Sequence, residues 1–143
     1  MKLSEIMTTA VEVIHPDDSL QEAARKMRDR DIGLLPVCDG QKLIGMLSDR
    51  DITIRAMAEG MQPTDRVGRD LATYPVIYCY EDEDVNEAAK IMNKNQIRRL
   101  AILRRKDKQL CGMVALGDLA VNTDDKLSGD VLQKVSEPVN MAS

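Results

Sequence analysis

Residues 16–24 read PDDSLQEAA and return at 81–89 as EDEDVNEAA, while GMLSDRDI at 45–52 returns at 112–119 as GMVALGDL. A chain that repeats itself must build one supersecondary unit twice, so this duplication limits the architecture before any local signal is weighed. The first match lies at an offset of 65 (16 to 81), which also pairs Met27 with Met92 and Ile32 with Ile97. The second lies at 67 (45 to 112), because the turn from Arg104 to Gln109 is two residues longer than its counterpart.

Within each copy the apolar period changes in the same order. Val11 and Val13, followed by His15-Pro16-Asp17-Asp18, predict a short strand ended by turn chemistry. Leu20, Ala23, Ala24 and Met27 stand at helical spacing behind Ser19, with Glu22 completing a capping box, so a helix is expected over about 19–30. Leu34-Leu35-Pro36-Val37-Cys38 and Leu43-Ile44-Gly45-Met46-Leu47 flank Asp39-Gly40, a strong hairpin signal. Ser48 then opens a second helix through Ile52, Ala56 and Met57 that stops at Gly60. The second copy reads alike, with a strand over 76–80, a helix over 84–95, and strands over 100–103 and 110–115.

The expected fold class is therefore α+β: two βαββα repeats packed with pseudo-twofold symmetry around their sheets, since a half of about 60 residues buries only a marginal core alone. The expected division is 1–61 for repeat 1 with the lead Ser4-Glu5-Ile6-Met7, 62–66 for a linker, and 67–123 for repeat 2 with the lead Arg69-Asp70-Leu71-Ala72. A tail over 124–143 is expected to carry a short amphipathic helix at Val131, Leu132 and Val135.

Several function classes fall away on composition. Phe and Trp are absent and Met occurs nine times, so the core must be aliphatic. A formal charge of −4 argues against a general nucleic-acid binder, leaving only the basic turn 104–108 as a place for such contact. No apolar run is long enough to span a membrane and Met1 opens no signal pattern, so a cytoplasmic location is expected. Cys38, Cys79 and Cys111 show no metal or disulfide spacing, and His15 is the single histidine. They predict small buried thiols and no metal site. With no nucleophile–base pair and no phosphate-binding glycine loop, the chain is not expected to be an enzyme.

A strand-helix-strand-strand-helix unit that closes on Gly-hydrophobic-x-Ser/Thr-x-x-Asp resembles the cystathionine β-synthase (CBS) domain, and two in tandem resemble the pair called a Bateman module. Gly45-Met46-Leu47-Ser48-Asp49-Arg50-Asp51 carries that signature in full; Gly112-Met113-Val114-Ala115-Leu116-Gly117-Asp118 carries it without the hydroxyl. Ile6-Met7-Thr8 and Leu35-Pro36-Val37 fit as well, and the resemblance covers residues 3 to about 122. The chain is most similar to small stand-alone bacterial CBS-pair proteins, those called hypoxic-response proteins included. The resemblance implies an adenine nucleotide ligand (AMP, ATP or a dinucleotide such as NAD), no catalytic cofactor, and a homodimer. Its role would be regulatory, in signal transduction or stress response, with binding altering shape or dimer geometry and so an unidentified partner. The alternative is a ligand-independent dimeric scaffold with degenerate nucleotide sites, at which Ala115 hints.

The residues themselves suggest how such a ligand is held. A ribose presents two neighbouring hydroxyls and one carboxylate accepts from both, which singles out Asp51 and Asp118. Phosphate suits a helix N-terminus, where Ser48 adds a hydroxyl donor, and adenine takes an apolar slot along strand edges. Ser48 with Asp51 is equally S-x-x-D, a capping box useful whatever the protein does. In copy two Ala115 cannot cap, yet Asp118 persists, which tips the reading toward ribose.

Arg98 and Arg99 stand where Gly33 and Leu34 stand in copy one. The resemblance places phosphate-reaching basic residues there; otherwise they join Arg104, Arg105, Lys106 and Lys108 in a solvated patch. By the geometry of the family each signature aspartate is completed by the opposite copy. Cleft B then joins Ser48, Asp51 and Arg50 to Ile97, Arg98, Arg99 and Leu100, and cleft A joins Asp118 to Ile32, Leu34 and Pro36. Arg50 either reaches phosphate or pairs with Asp49 and Asp51. The methionines at helical spacing are assigned to core and dimer contacts.

Overall fold

Ser19 starts the first long helix by accepting the Glu22 N–H on its Oγ at 3.1 Å, and Asp84 starts the second by accepting the Asn86 N–H at 2.9 Å. These are α1 (Leu20–Arg30) and α2 (Val85–Asn95). Both end on a left-handed residue, Asp31 at φ 53° and Gln96 at φ 51°. Leu20, Ala23 and Met27 of α1, and Val85, Ala88, Ala89 and Met92 of α2, form the buried stripes that the spacing predicts. This computed structural model describes residues 1–68, 71–72, 76–122 and 133. The expected tail helix at Val131, Leu132 and Val135 lies outside the described residues, as do Arg69 and Asp70 of the second lead.

The strands are β1 (Leu34–Asp39), β2 (Lys42–Ser48), β3 (Tyr78–Tyr80), β4 (Arg99–Leu103) and β5 (Leu110–Ala115). β1 and β2 form an antiparallel pair; β3 runs parallel to β4, which pairs antiparallel with β5. Both hairpins break register at the signature glycine: Val37 faces Gly45 before one irregularity and Ile102 faces Gly112 before the other. A short α3 (Leu116–Asn122) follows β5, whereas after β2 the ladder of the helix is π-helical over Asp51–Ala56.

The strand expected at Val11 and Val13 is instead a single parallel bridge between Ile14 and Val37. The Ile14 N–H donates to the Pro36 carbonyl at 3.0 Å and its carbonyl accepts the Cys38 N–H at 2.9 Å. The next rung toward Glu12 would need an N–H from Pro36, which has none. Ala101, paired with Tyr78 at the corresponding place, supplies one, and β3 forms.

The chain divides into two compact units, Glu12–Val76 and Met1–Val11 joined to the described chain from Ile77 on. This division departs from the sequence repeats in where the leads pack. Residues 1–8 belong with the second repeat, where Leu3 is fully buried among Cys79, Val85, Leu100 and Leu119. The stretch expected as a linker at 62–66 continues into Val67, Leu71 and Ala72, which are buried with Ile14, Leu20 and Leu47 of the first repeat. The two attachments match residue for residue. The Leu3 N–H donates to the Glu83 carbonyl and the Val85 N–H to Met1; the Val67 N–H donates to the Asp18 carbonyl and the Leu20 N–H to Asp65. The reason lies in size, since each half has an apolar face too large to leave uncovered and too few residues to cover it.

Gly112 records one such approach. A Cβ there would lie 2.9 Å from Met7 Cγ and 3.0 Å from the Thr8 carbonyl oxygen, and Thr8 pairs with Met113 beside it. The signature glycine of the second repeat is thus required where the lead crosses β5.

Candidate functional site

β2 runs directly into the helix at Ser48, and the first residues of that turn are locked reciprocally. The Asp51 N–H donates to Ser48 Oγ at 3.0 Å, and the Ser48 N–H donates to Asp51 Oδ2 at 2.9 Å. This is a complete capping box. Asp51 Oδ1 faces Arg55 Nη1 at 3.4 Å, and Arg55 Nη1 also donates to the Leu71 carbonyl at 2.7 Å. Asp51, 8 % exposed, is the buried charged residue among those described. A carboxylate so placed needs compensating donors, and the Ser48 amide and Arg55 are what it finds. Ser48 Oγ accepts, so its own proton remains to be given to a ligand oxygen.

Arg50 is exposed, and its backbone N–H donates to Asp49 Oδ1 at 2.8 Å. Among the described residues its guanidinium pairs with neither Asp49 nor Asp51, so neighbour pairing does not occupy it. The Asp49 N–H donates to the Gly33 carbonyl at 2.9 Å, and a Cβ on Gly33 would lie 2.9 Å from Asp49 Oδ2. Glycine at 33 goes with aspartate at 49. In the second repeat Leu116 takes the aspartate's place, its N–H donates to the Arg98 carbonyl at 2.8 Å, and a long side chain stands where Gly33 was.

There the Ala115 N–H donates to Asp118 Oδ2 at 2.7 Å. One arm of the box therefore survives the loss of the hydroxyl, and the persistence of Asp118 has a structural cause that needs no ribose. Its Oδ1 has no partner among the described residues. At the place of Arg55 stands Asn122, whose amide donates to the Asp118 backbone carbonyl at 2.8 Å rather than to the carboxylate. Arg99 pairs with Ala115 across β4 and β5, and both Arg98 and Arg99 are exposed.

By unit, the structure brings Ser48, Arg50 and Asp51 together with Ile32, Leu34 and Pro36, since Leu34 faces Ser48 and Pro36 faces Met46. It brings Asp118 together with Ile97, Arg98, Arg99 and Leu100. The expected clefts A and B each draw on both groups. Leu100, in β4, sits in the core with Met92 and Val114, and Pro36 is a buried residue of β1, so both are strand residues packed within their own units. Ile32 and Ile97 are half-buried just after their helices, each donating its N–H to a methionine carbonyl, Met27 and Met92. Sequence reasoning passed over Arg55, although Asp-x-x-x-Arg at helical spacing was there to be read.

The basic turn is less available than its charge suggests. Arg105 forks onto Asp82 at 2.8 and 2.9 Å and lies 4.2 Å over the Tyr80 ring, while Arg104 pairs with Asp107 at 3.1 Å. The Arg105 guanidinium holds the Asp82 carboxyl below its ordinary value. Burial pushes the thiols up, Cys38 to about 11 and Cys79 to about 12, as expected of small buried residues. No group of three His, Cys, Asp or Glu among the described residues is arranged to hold a metal ion, and no helix there is long and apolar enough to cross a membrane.

Comparison with known proteins places this geometry. The CBS domain model matches residues 3–57 and 67–125. Hypoxic response protein 1 of Mycobacterium tuberculosis is 31 % identical over 140 residues, spanning 97 % of this chain and 96 % of that protein. The crystal structure of Hypoxic Response Protein I with two coordinated zinc ions superposes with a TM-score of 0.77 at 33 % identity, covering 87 % of this chain and all of the other. The CBS domain pair of protein MJ0100, in complex with 5'-methylthioadenosine and S-adenosyl-L-methionine, superposes with a TM-score of 0.72 at 25 % identity, covering 85 % and 94 % of the two chains. With both repeats matched in register and both signature helix starts in place, the chain belongs to the CBS domain family, as a tandem CBS pair.

Proposed function

We propose that this chain is a regulatory CBS-pair protein, cytoplasmic, homodimeric and without catalytic activity of its own, that binds an adenine nucleotide at its signature helix starts. The observation that carries the reading is the Ser48–Asp51 start. It offers a carboxylate oxygen held by one long contact, a hydroxyl proton not used by the protein, and the exposed guanidinium of Arg50 on the same turn. A ribose diol donates to the first, and phosphate oxygens accept from the other two. Asp118, Arg98 and Arg99 repeat the carboxylate and the cations without the hydroxyl. The MJ0100 pair, which takes two adenosine compounds, supports the ligand class.

Calorimetric titration with AMP, ATP, NAD and S-adenosylmethionine tests this. At least one is expected to bind well below about 1 mM, and Asp51→Ala is expected to abolish that binding. Absence of binding by all of them at that concentration, or unchanged affinity in Asp51→Ala, overturns the reading. A second reading has its own observation: the capping bonds account for both aspartates without any ligand. In that case the protein is a scaffold, and its sedimentation and partner capture are the same with and without nucleotide.

A further inference from the structure

Arg55 joins two separate stretches of the first repeat through one nitrogen. Its Nη1 carries two hydrogens; one is directed to the Leu71 carbonyl at 2.7 Å and the other faces Asp51 Oδ1 at 3.4 Å. It does so from the π-helical turn Asp51–Ala56. In an i→i+5 ladder four residues stop short of a full turn, so Arg55 stays over Asp51 while its stem passes on toward the lead. Leu71 and Ala72 are buried in the core of this unit, at the end of the chain's path out of the first repeat. Among the described residues the second repeat shows no such link, and Asn122 turns its amide to a backbone carbonyl.

The two lengths rank the two contacts. A charged donor at 2.7 Å from a carbonyl is a short, strong bond; 3.4 Å is long, and yields first when a better donor reaches the carboxylate. Once Oδ1 is taken by another donor, the guanidinium loses its countercharge on one side and its bond to Leu71 changes with it.

We propose that Arg55 is a positioning residue that couples the occupancy of Asp51 Oδ1 to the backbone at Leu71, so that a donor arriving at the signature carboxylate is registered in the segment leading out of the first repeat. The coupling rests on the ribose reading only for the identity of that donor.

The Ala72 amide reports it, because its N–H belongs to the same peptide group as the Leu71 carbonyl. The experiment is a double-mutant cycle on the full chain without ligand, reading the Ala72 amide resonance in wild type, Asp51→Asn, Arg55→Gln and the double variant. Asparagine keeps an acceptor for the Ser48 N–H, so the helix start persists. Asp51→Asn is expected to move the Ala72 resonance, and to move it at least about threefold less in the Arg55→Gln background. Arg55→Lys, which keeps the charge with fewer directed donors, serves as a milder background and is expected to fall between. Equal movement with and without Arg55, or none in wild type, overturns the proposal. In a parallel arm adenosine is added. It is expected to shift Ala72 in wild type, while Arg55→Gln binds it with Ala72 unmoved; a shift of equal size in Arg55→Gln overturns the proposal. If adenosine, AMP, ATP, NAD and S-adenosylmethionine all fail to bind wild type, the ribose reading is defeated, and the ligand-free cycle still decides the role of Arg55.

Discussion

The two signature helix starts differ by a hydroxyl and a guanidinium, and those two groups separate a fully capped start from a half-capped one. At Ser48 the box is complete, Asp51 is buried, and Arg55 covers its second oxygen. At Ala115 one arm of the box remains, Asp118 is half-exposed, and Asn122 leaves the carboxylate alone. The first start is the more tightly ordered. The second keeps a carboxylate oxygen without a partner among the described residues, an exposed Arg99 on β4 opposite Ala115, and less to hold the helix.

The largest test of that contrast is the paired removal of the carboxylates. Asp51→Ala is expected to cost about 2–3 kcal/mol, since it deletes a capping partner and removes the carboxylate facing Arg55; the half-exposure of Arg55 keeps the figure below that of a fully buried pair. Asp118→Ala removes a single capping bond and is expected to cost about 1 kcal/mol. Urea denaturation of both variants under one condition measures the difference, and equal costs would mean that Arg55 contributes nothing to the first start. Next in size is Ala115→Ser, which restores the missing hydroxyl opposite the Asp118 N–H. It is expected to stabilise the second repeat by about 0.5–1 kcal/mol in the same assay and, under the proposed function, to tighten nucleotide binding. A neutral result would show that α3 does not use the cap.

How far these features could be read in advance depends on how local their causes are. The α1 and α2 stripes, the hairpin at Asp39 and Gly40, and the Ser48 start follow from spacing and capping chemistry within a few residues, and all are present. The shortened first strand was also local in origin, because the absent N–H of Pro36 stops the ladder, but its effect falls on Glu12, far away along the chain. Packing of the leads has no local cause at all. Leu3 looks like any apolar residue near a terminus, and only the uncovered face of the other repeat explains why it is fully buried. The remaining cap at Asp118 is hard to see in sequence for a related reason: a backbone N–H is present at every residue, so losing the Ser side chain at 115 deletes one capping bond and spares the reverse one.

The smallest expected effect distinguishes the starts of α1 and α2 by acid. Ser19 caps α1 with a group that does not titrate, whereas Asp84 caps α2 with a carboxylate. The Asn86 N–H, and then the Met1 ammonium at 3.2 Å, hold the Asp84 carboxyl below its ordinary value of 3.8. A carboxyl lowered in the folded state stabilises fully above its unfolded value, and that contribution is lost as pH falls through the lower folded one. Both partners are solvent-exposed, so screening keeps the effect small. Wild type and Asp84→Ser are therefore expected to differ slightly in urea midpoint at pH 6, with wild type the more stable, and to converge as pH falls below 3.8. The matching exchange in the first repeat, Ser19→Asp, should introduce the same acid dependence there. If it does not, the Met1 ammonium rather than the helix start is the source of the difference, because only α2 has that charge beside its cap.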